Sequence, residues 1–145
     1  MPEEPVTLKG HVVIKEIDAN GNVVSVEEGD NVICINGSYA LCATLGGTGM
    51  TVFNYMIIST DQTAVNRTHT SISPVTAAST VLTPSISTNT CIWTYTFASG
   101  GSATIWKFGM ATTNGATSIW NEYLFGAAKD NSTNSLQITY TATFP

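Results

Sequence analysis

Ser135-Leu136-Gln137-Ile138-Thr139-Tyr140-Thr141-Ala142-Thr143-Phe144 alternates without a slip. Leu136, Ile138, Tyr140, Ala142 and Phe144 share one face, and Gln137, Thr139, Thr141 and Thr143 share the other. Successive side chains of a strand point to opposite faces, so this stretch reads as a strand with one buried and one open side. Working backwards, Lys129 to Asn134 is a polar turn, and Ser118 to Phe125 is a second apolar strand. Thr113-Asn114-Gly115 separates it from a third, Ala103 to Met110, and Ser99-Gly100-Gly101-Ser102 separates that from a fourth, Cys91 to Phe97. Strands at this spacing, with turn residues between them, indicate an antiparallel sandwich or barrel.

The first third continues the pattern. Val6, Leu8, Val12, Ile14 and Ile17 predict a strand over residues 6–17 with an irregularity near Gly10. Asn20-Gly21 is a strong hairpin signal, and Val23 to Glu28 should pair back before Gly29-Asp30-Asn31 breaks the strand. Residues 32–45 are the helix candidate: Asn36-Gly37-Ser38 supplies a cap, Tyr39, Leu41, Cys42 and Leu45 fall on one face, and Gly46-Gly47-Thr48-Gly49 ends it. Residues 53–59 read as a buried strand. A polar connection then runs from about residue 60 to 89, with short edge strands expected near Ile72–Val75 and Val81–Ile86. It is either a surface excursion or a contact arm. The expected fold is mostly β: an antiparallel β-sandwich, jelly-roll-like, with one short helix. A single domain spans 7–145, preceded by an N-terminal arm, 1–6.

Composition narrows the function. Only 10% of the 145 residues are charged, against a usual share of about 25%, and Ser and Thr make up about a quarter. Thr is β-branched and suits the open face of a sheet. Surfaces poor in Lys and Glu resemble the cores of protein interfaces. The net charge is −5 and the five Lys and Arg residues are scattered. Without a basic stripe, neither nucleic acid nor an anionic membrane is an expected partner. No window approaches the length of an apolar membrane span. Met1-Pro2-Glu3-Glu4-Pro5 has none of the basic and apolar regions of a signal peptide, which predicts synthesis and folding in the cytosol. Cys34, Cys42 and Cys91 are odd in number and widely spaced, so they read as buried small hydrophobes.

Catalytic material is sparse. His11 and His69 have no partner at metal-ligand spacing, and no phosphate-binding loop or nucleophile elbow is present. Asp61 and Glu122 are isolated acids; a paired role in glycoside hydrolysis would require the fold to bring them together. The sequons at Asn36, Asn66 and Asn131 read as chance matches. Trp93, Trp106 and Trp120 fall on three successive strands, with Tyr95 and Tyr123 nearby. They form either a sugar-stacking platform or a core, and the face shared by Trp93, Tyr95 and Phe97 favours core or subunit contact. The expectation is a protein that is not an enzyme, with no catalytic residues, no cofactor and no metal.

Asn31-Val32-Ile33-Cys34-Ile35-Asn36-Gly37, then Ala40-Leu41-Cys42-Ala43-Thr44-Leu45, then Phe53-Asn54-Tyr55-Met56-Ile57-Ile58-Ser59-Thr60-Asp61-Gln62-Thr63-Ala64 follow one another in a recognisable order. Lys107-Phe108-Gly109-Met110 and the closing strand to Phe144 extend it. This order resembles small virion proteins of tailed bacteriophages: capsid decoration (cement) proteins, head fibres and tail-fibre components. Ser59 departs from the pattern, which usually has Gly before Thr. The resemblance implies a structural protein on the outer surface of a virion, made in the host cytoplasm. A decoration protein would bind across major capsid subunits, associate with copies of itself and stabilise the shell. The alternative is a tail or head fibre component that binds a host receptor or glycan. The candidate interface residues are Met1, Pro2, Glu3, Glu4 and Pro5 in the arm, and Arg67, His69, Pro74 and Pro84 in the 60–89 connection.

Overall fold

A computed structural model of the chain describes residues 9–34, 37–38 and 53–143. The strands are β1 (Lys9–Ile17), β2 (Val23–Asp30), β3 (Val32–Ile33), β4 (Tyr55–Ser59), β5 (Ala77–Ala78), β6 (Ser85–Ser87), β7 (Thr90–Phe97), β8 (Ile105–Ala111), β9 (Ile119–Lys129) and β10 (Ser135–Thr143). They form two five-stranded antiparallel sheets, ordered β2-β1-β10-β7-β6 and β3-β9-β8-β4-β5. The protein is a mostly β, two-sheet sandwich, as the alternation predicts.

The closing strand fulfils its reading. β10 is the centre of the first sheet, paired with β1 from Lys9↔Thr143 to Ile17↔Ser135 and with β7 from Leu136↔Phe97 to Thr143↔Thr90. Leu136, Ile138, Tyr140 and Ala142 are fully buried. They meet Val12 and Ile14 of β1, Trp93 and Phe97 of β7, and Met56, Ile58, Phe108, Met110, Trp120 and Phe125 of the second sheet. Trp93 and Trp120 meet edge to face at 5.7 Å, and Trp93 stacks on Tyr140 at 5.6 Å. Trp93 and Trp120 are therefore core residues, and Trp106 is half-buried. Aromatic pairs of this kind add to an already large buried area.

The local readings are corrected in several places. The register irregularity in β1 falls between Glu16 and Ile17, opposite a bulge at Val24, and not at Gly10. Gly10 lies in regular pairing opposite Ala142. β2 runs through Gly29 and Asp30, because Gly29 still has Val12 to pair with. The break comes at Asn31, where the chain turns the corner from the first sheet to the second. Val32 and Ile33, placed in the helix candidate, form a strand paired with Glu122 and Asn121. An open sheet edge beside β9 outweighs the helical spacing there. Gly37 and Ser38 are helical; the rest of the candidate, 35–36 and 39–45, lies outside the described residues, as do the 1–6 arm and Phe144. The two short edge strands exist but lie at Ala77–Ala78 and Ser85–Ser87.

The turns follow their chemistry. Gly21 takes φ 83° in the first hairpin, and the Asp18 carboxylate accepts from the N–H groups of Asn20 and Asn22 at 2.9 Å each. In the second Asn-Gly turn the left-handed residue is Ala116, at φ 51°, rather than Gly115. Among the described residues no helix is long and apolar enough to cross a membrane.

Candidate functional site

The outer face of the second sheet carries the unusual chemistry. Register places Ile57, Gly109 and Glu122 side by side across β4, β8 and β9, and Ser59 beside Lys107. Trp120 is the extra residue of a register shift, which returns Glu122 to the outer face while Trp120 points inward. The first part of the long connection, residues 60–76, lies over this face as a strap. Ile72 is its apolar anchor, clustered with Cys34, Ile57, Ala111, Ala116 and Ile119. Backbone bonds fasten it: Ile72 N–H to Ala116 O, Ile119 N–H to Thr70 O, and Thr76 N–H to Ile58 O. The Ser59 hydroxyl donates to the Pro74 carbonyl.

Beneath the strap lies a charged cluster. Lys107 Nζ is 2.7 Å from Asp61 Oδ2 and 3.7 Å from Glu122 Oε2. Glu122 Oε1 accepts from the Asn66 backbone N–H at 2.8 Å and lies 2.6 Å from His69 Nδ1. The Lys107 and Glu122 side chains are 1% and 0% exposed, and that of His69 is 33% exposed. The sheet supplies Lys107 and Glu122, and the strap supplies Asp61, Asn66 and His69. Two acids that are 61 positions apart in sequence thus share one lysine.

Electrostatics decides what this cluster can do. Burial works against the charge on Asp61, but Lys107 and the Thr63 hydroxyl and N–H outweigh it, and the carboxyl falls to about 2. A glycosidase acid needs a raised carboxyl pKa, so Asp61 is unsuited to donate a proton near neutrality. Burial first, and the Glu122 charge second, push the Cys34 thiol up to about 12, which leaves it protonated and without nucleophilic character. Glu122 orients the His69 ring through Nδ1, as a carboxylate does in many acid–base pairs. Here the carboxylate itself has no exposed surface to offer a substrate. Among the described residues, no group of three or more His, Cys, Asp or Glu side chains is set to hold a metal. The geometry is that of a fastening between strap and sheet.

The sequence candidates are thus distributed. Met1 to Pro5 lie outside the described residues. Arg67 and Pro74 are exposed on the strap, His69 is tied to Glu122, and Pro84 is partly buried just before β6. Lys107 was missed; its signal is a lone charge inside the apolar run Ile105 to Met110. Asn131, one of the sequon residues, is buried and donates from Nδ2 to the carbonyls of Phe97, Ala98 and Asn134, so it serves the β9–β10 turn.

The outer face of the first sheet is different. Thr90, Ile92, Thr94 and Thr96 of β7 stand beside Thr143, Thr141, Thr139 and Gln137 of β10. Thr94 and Thr96 are exposed and the others half-buried, and the Thr94 and Thr139 hydroxyls meet at 3.3 Å. Val13 and Lys15 of β1 continue the face toward Val26 and Glu28 of β2. Val23, Val24 and Val26 are each at least half exposed. His11 closes one corner, 3.0 Å from Asp30 and 3.5 Å from Glu28; the Asp30 hydrogen bond raises its pKa against partial desolvation.

No family model, curated protein or solved structure matches the chain.

Proposed function

We propose that the chain is a structural protein of a tailed-phage virion, a capsid decoration protein that binds across major capsid subunits and associates with its own copies. The observation that carries this reading is the unequal treatment of the two outer sheet faces. The strap closes the second; the first presents rows of threonine on β7 and β10, with its charges gathered on β1 and β2. Such a face loses little on desolvation, because hydroxyls can re-pair across an interface while unpaired ammonium and carboxylate groups cannot. A rigid sandwich that binds only the expanded shell stabilises that shell by mass action. The likeness of the Asn31–Ala64 order to phage virion proteins points the same way. The glycan-binding fibre reading draws less support, since Trp93 and Trp120 are spent on the core.

The test is addition of purified protein to expanded, undecorated capsids. Near-stoichiometric binding is expected, and Thr94→Lys combined with Thr141→Glu abolishes it while the thermal melt is retained. Binding unaffected by these changes would move the docking surface elsewhere. Failure to bind any capsid, together with loss of glycan binding on Trp106→Ala, would replace decoration with a fibre role.

A further inference from the structure

β2 and β6 end the first sheet, and the two edges have opposite chemistry. β2 is guarded. Its ladder with β1 is interrupted by the bulge at Val24, Glu28 and Asp30 stand exposed along it, and Glu27 turns inward to Lys129 at 2.8 Å. Bulges, exposed charges and inward-pointing charges keep an edge strand from pairing with another chain. β6 has none of these. Ser85, Ile86 and Ser87 are uncharged, and their register with β7 is regular. Among the described residues no strand pairs with the outer side of β6. Ile86 is 73% exposed, and Val81, on the connection that leads into β6, is 62% exposed. The uncharged zone is wider than the strand. No Asp, Glu, Lys or Arg occurs between Arg67 and Lys107, a stretch that supplies β5, β6 and β7. Glu27 and Lys129 draw β2 to β9, so β6 and β5 end the two sheets on the other side of the sandwich. In a chain of net charge −5, two copies repel one another least along those edges.

The backbone sets how the edge can be used. Thr88-Asn89 is a two-residue turn, with Ser87 opposite Thr90 and Ile86 opposite Cys91. In such a hairpin the closing pair exchanges its N–H and C=O bonds, and the next residue turns both groups away from the partner strand. Ile86 thus offers one donor, one acceptor and an exposed apolar side chain to the open edge. Ser85 and Ser87 flank it alike, so the strand reads the same in both directions. A second copy laid antiparallel sets Ile86 against Ile86 and Ser85 against Ser87, and each Ile86 N–H meets the other's carbonyl. We propose that β6 is the surface through which two copies of this chain associate, across a two-fold axis at Ile86. Such a contact uses one patch twice, which a self-matching edge allows. It also ends there. Pro84 has no N–H to donate and Thr88 turns the chain away at φ 26°, so the ladder is one reciprocal pair of bonds. A contact this short falls below the roughly 1,200 Å² of a stable complex, which sets the dissociation constant on the order of 0.1–1 mM. Ser85 and Ser87 share their face with Ile92 and Thr90, so the pairing makes the threonine faces of two copies continuous. The inference rests on the self-association in the proposed function and names where the copies meet.

Sedimentation velocity of the full chain, from about 10 μM to about 1 mM, tests it. The mean mass is expected to rise from monomer toward dimer and no further. Ile86→Lys should stay monomeric over the same range with an unchanged thermal melt, because this side chain already lies in water. Amide hydrogen exchange gives a second reading. The Ile86 N–H should exchange more slowly as the parent is concentrated, and not in the variant, while the β2 amides stay unchanged in both. Association that survives Ile86→Lys, or species larger than a dimer, overturns the two-fold contact at β6 and leaves the copies to meet elsewhere. A parent that stays monomeric at the highest concentration overturns it as well and leaves the edge to a different chain. If that monomer still adds to expanded capsids, the docking face stands and only the edge contact is lost.

Discussion

Lys107 carries its charge to a place where 1% of its side chain meets water, with Asp61 on one side and Glu122 on the other. Breaking such a set is far costlier than its net worth, because the remaining charge stays buried. Lys107→Met should therefore destabilise by about 3–5 kcal/mol in urea unfolding, against little change for Lys15→Met on the open face. Asp61 adds a pH signature. Its folded pKa lies below the ordinary 3.8, so its contribution is complete above that value and disappears as pH falls through about 2. The urea midpoint should drop across that window, and less so in Asp61→Asn. His11 has the opposite sign. Its folded pKa is raised, so its contribution is complete below 6.5 and is lost as pH rises through the folded value. An NMR titration should place His11 above 6.5, and Asp30→Asn should bring it down. Little of this was legible in the sequence. Alternation tells which residues share Lys107's face, but not that a strap of residues 60–76 will cover it.

At the level of elements, the strands were legible and their ends were not. β7 to β10 follow from period-two patterning and turn residues, which act locally. The corner at Asn31 does not, because it depends on whether a neighbouring edge is free to receive Val32 and Ile33. The strap is the least legible element: Thr, Ser and Ala give no period, and only Ile72, with Val75 packed partly against the same cluster, marks its buried side. Ile72 is 3% exposed, and its Cδ1 lies over Gly109, where any β carbon would collide with it. Ile72→Ala should cost about 2–5 kcal/mol, toward the lower end if the strap settles onto Gly109. Hydrogen exchange should show the loss first at the amides of Ile72 and Ile119, whose partners span strap and sheet.

For the whole molecule, the decisive fact is that β10 sits between β1 and β7. The ladder Lys9↔Thr143 to Ile17↔Ser135 joins distant parts of the sequence. Long-range pairing of this kind slows folding to milliseconds or seconds. Deleting residues 135–145 removes the middle strand and the buried Leu136, Ile138 and Tyr140. Such a truncation should show no cooperative thermal transition by circular dichroism, whereas removing residues 1–6 should leave the melt in place. The strand order also governs biosynthesis. While the nascent chain is still threaded through the ribosome, β1 has β2 to pair with but lacks its other neighbour, and the first sheet stays split in two. It can close only after residue 143 clears the exit tunnel, so any partner that reads its finished surface must wait until the last strand has emerged.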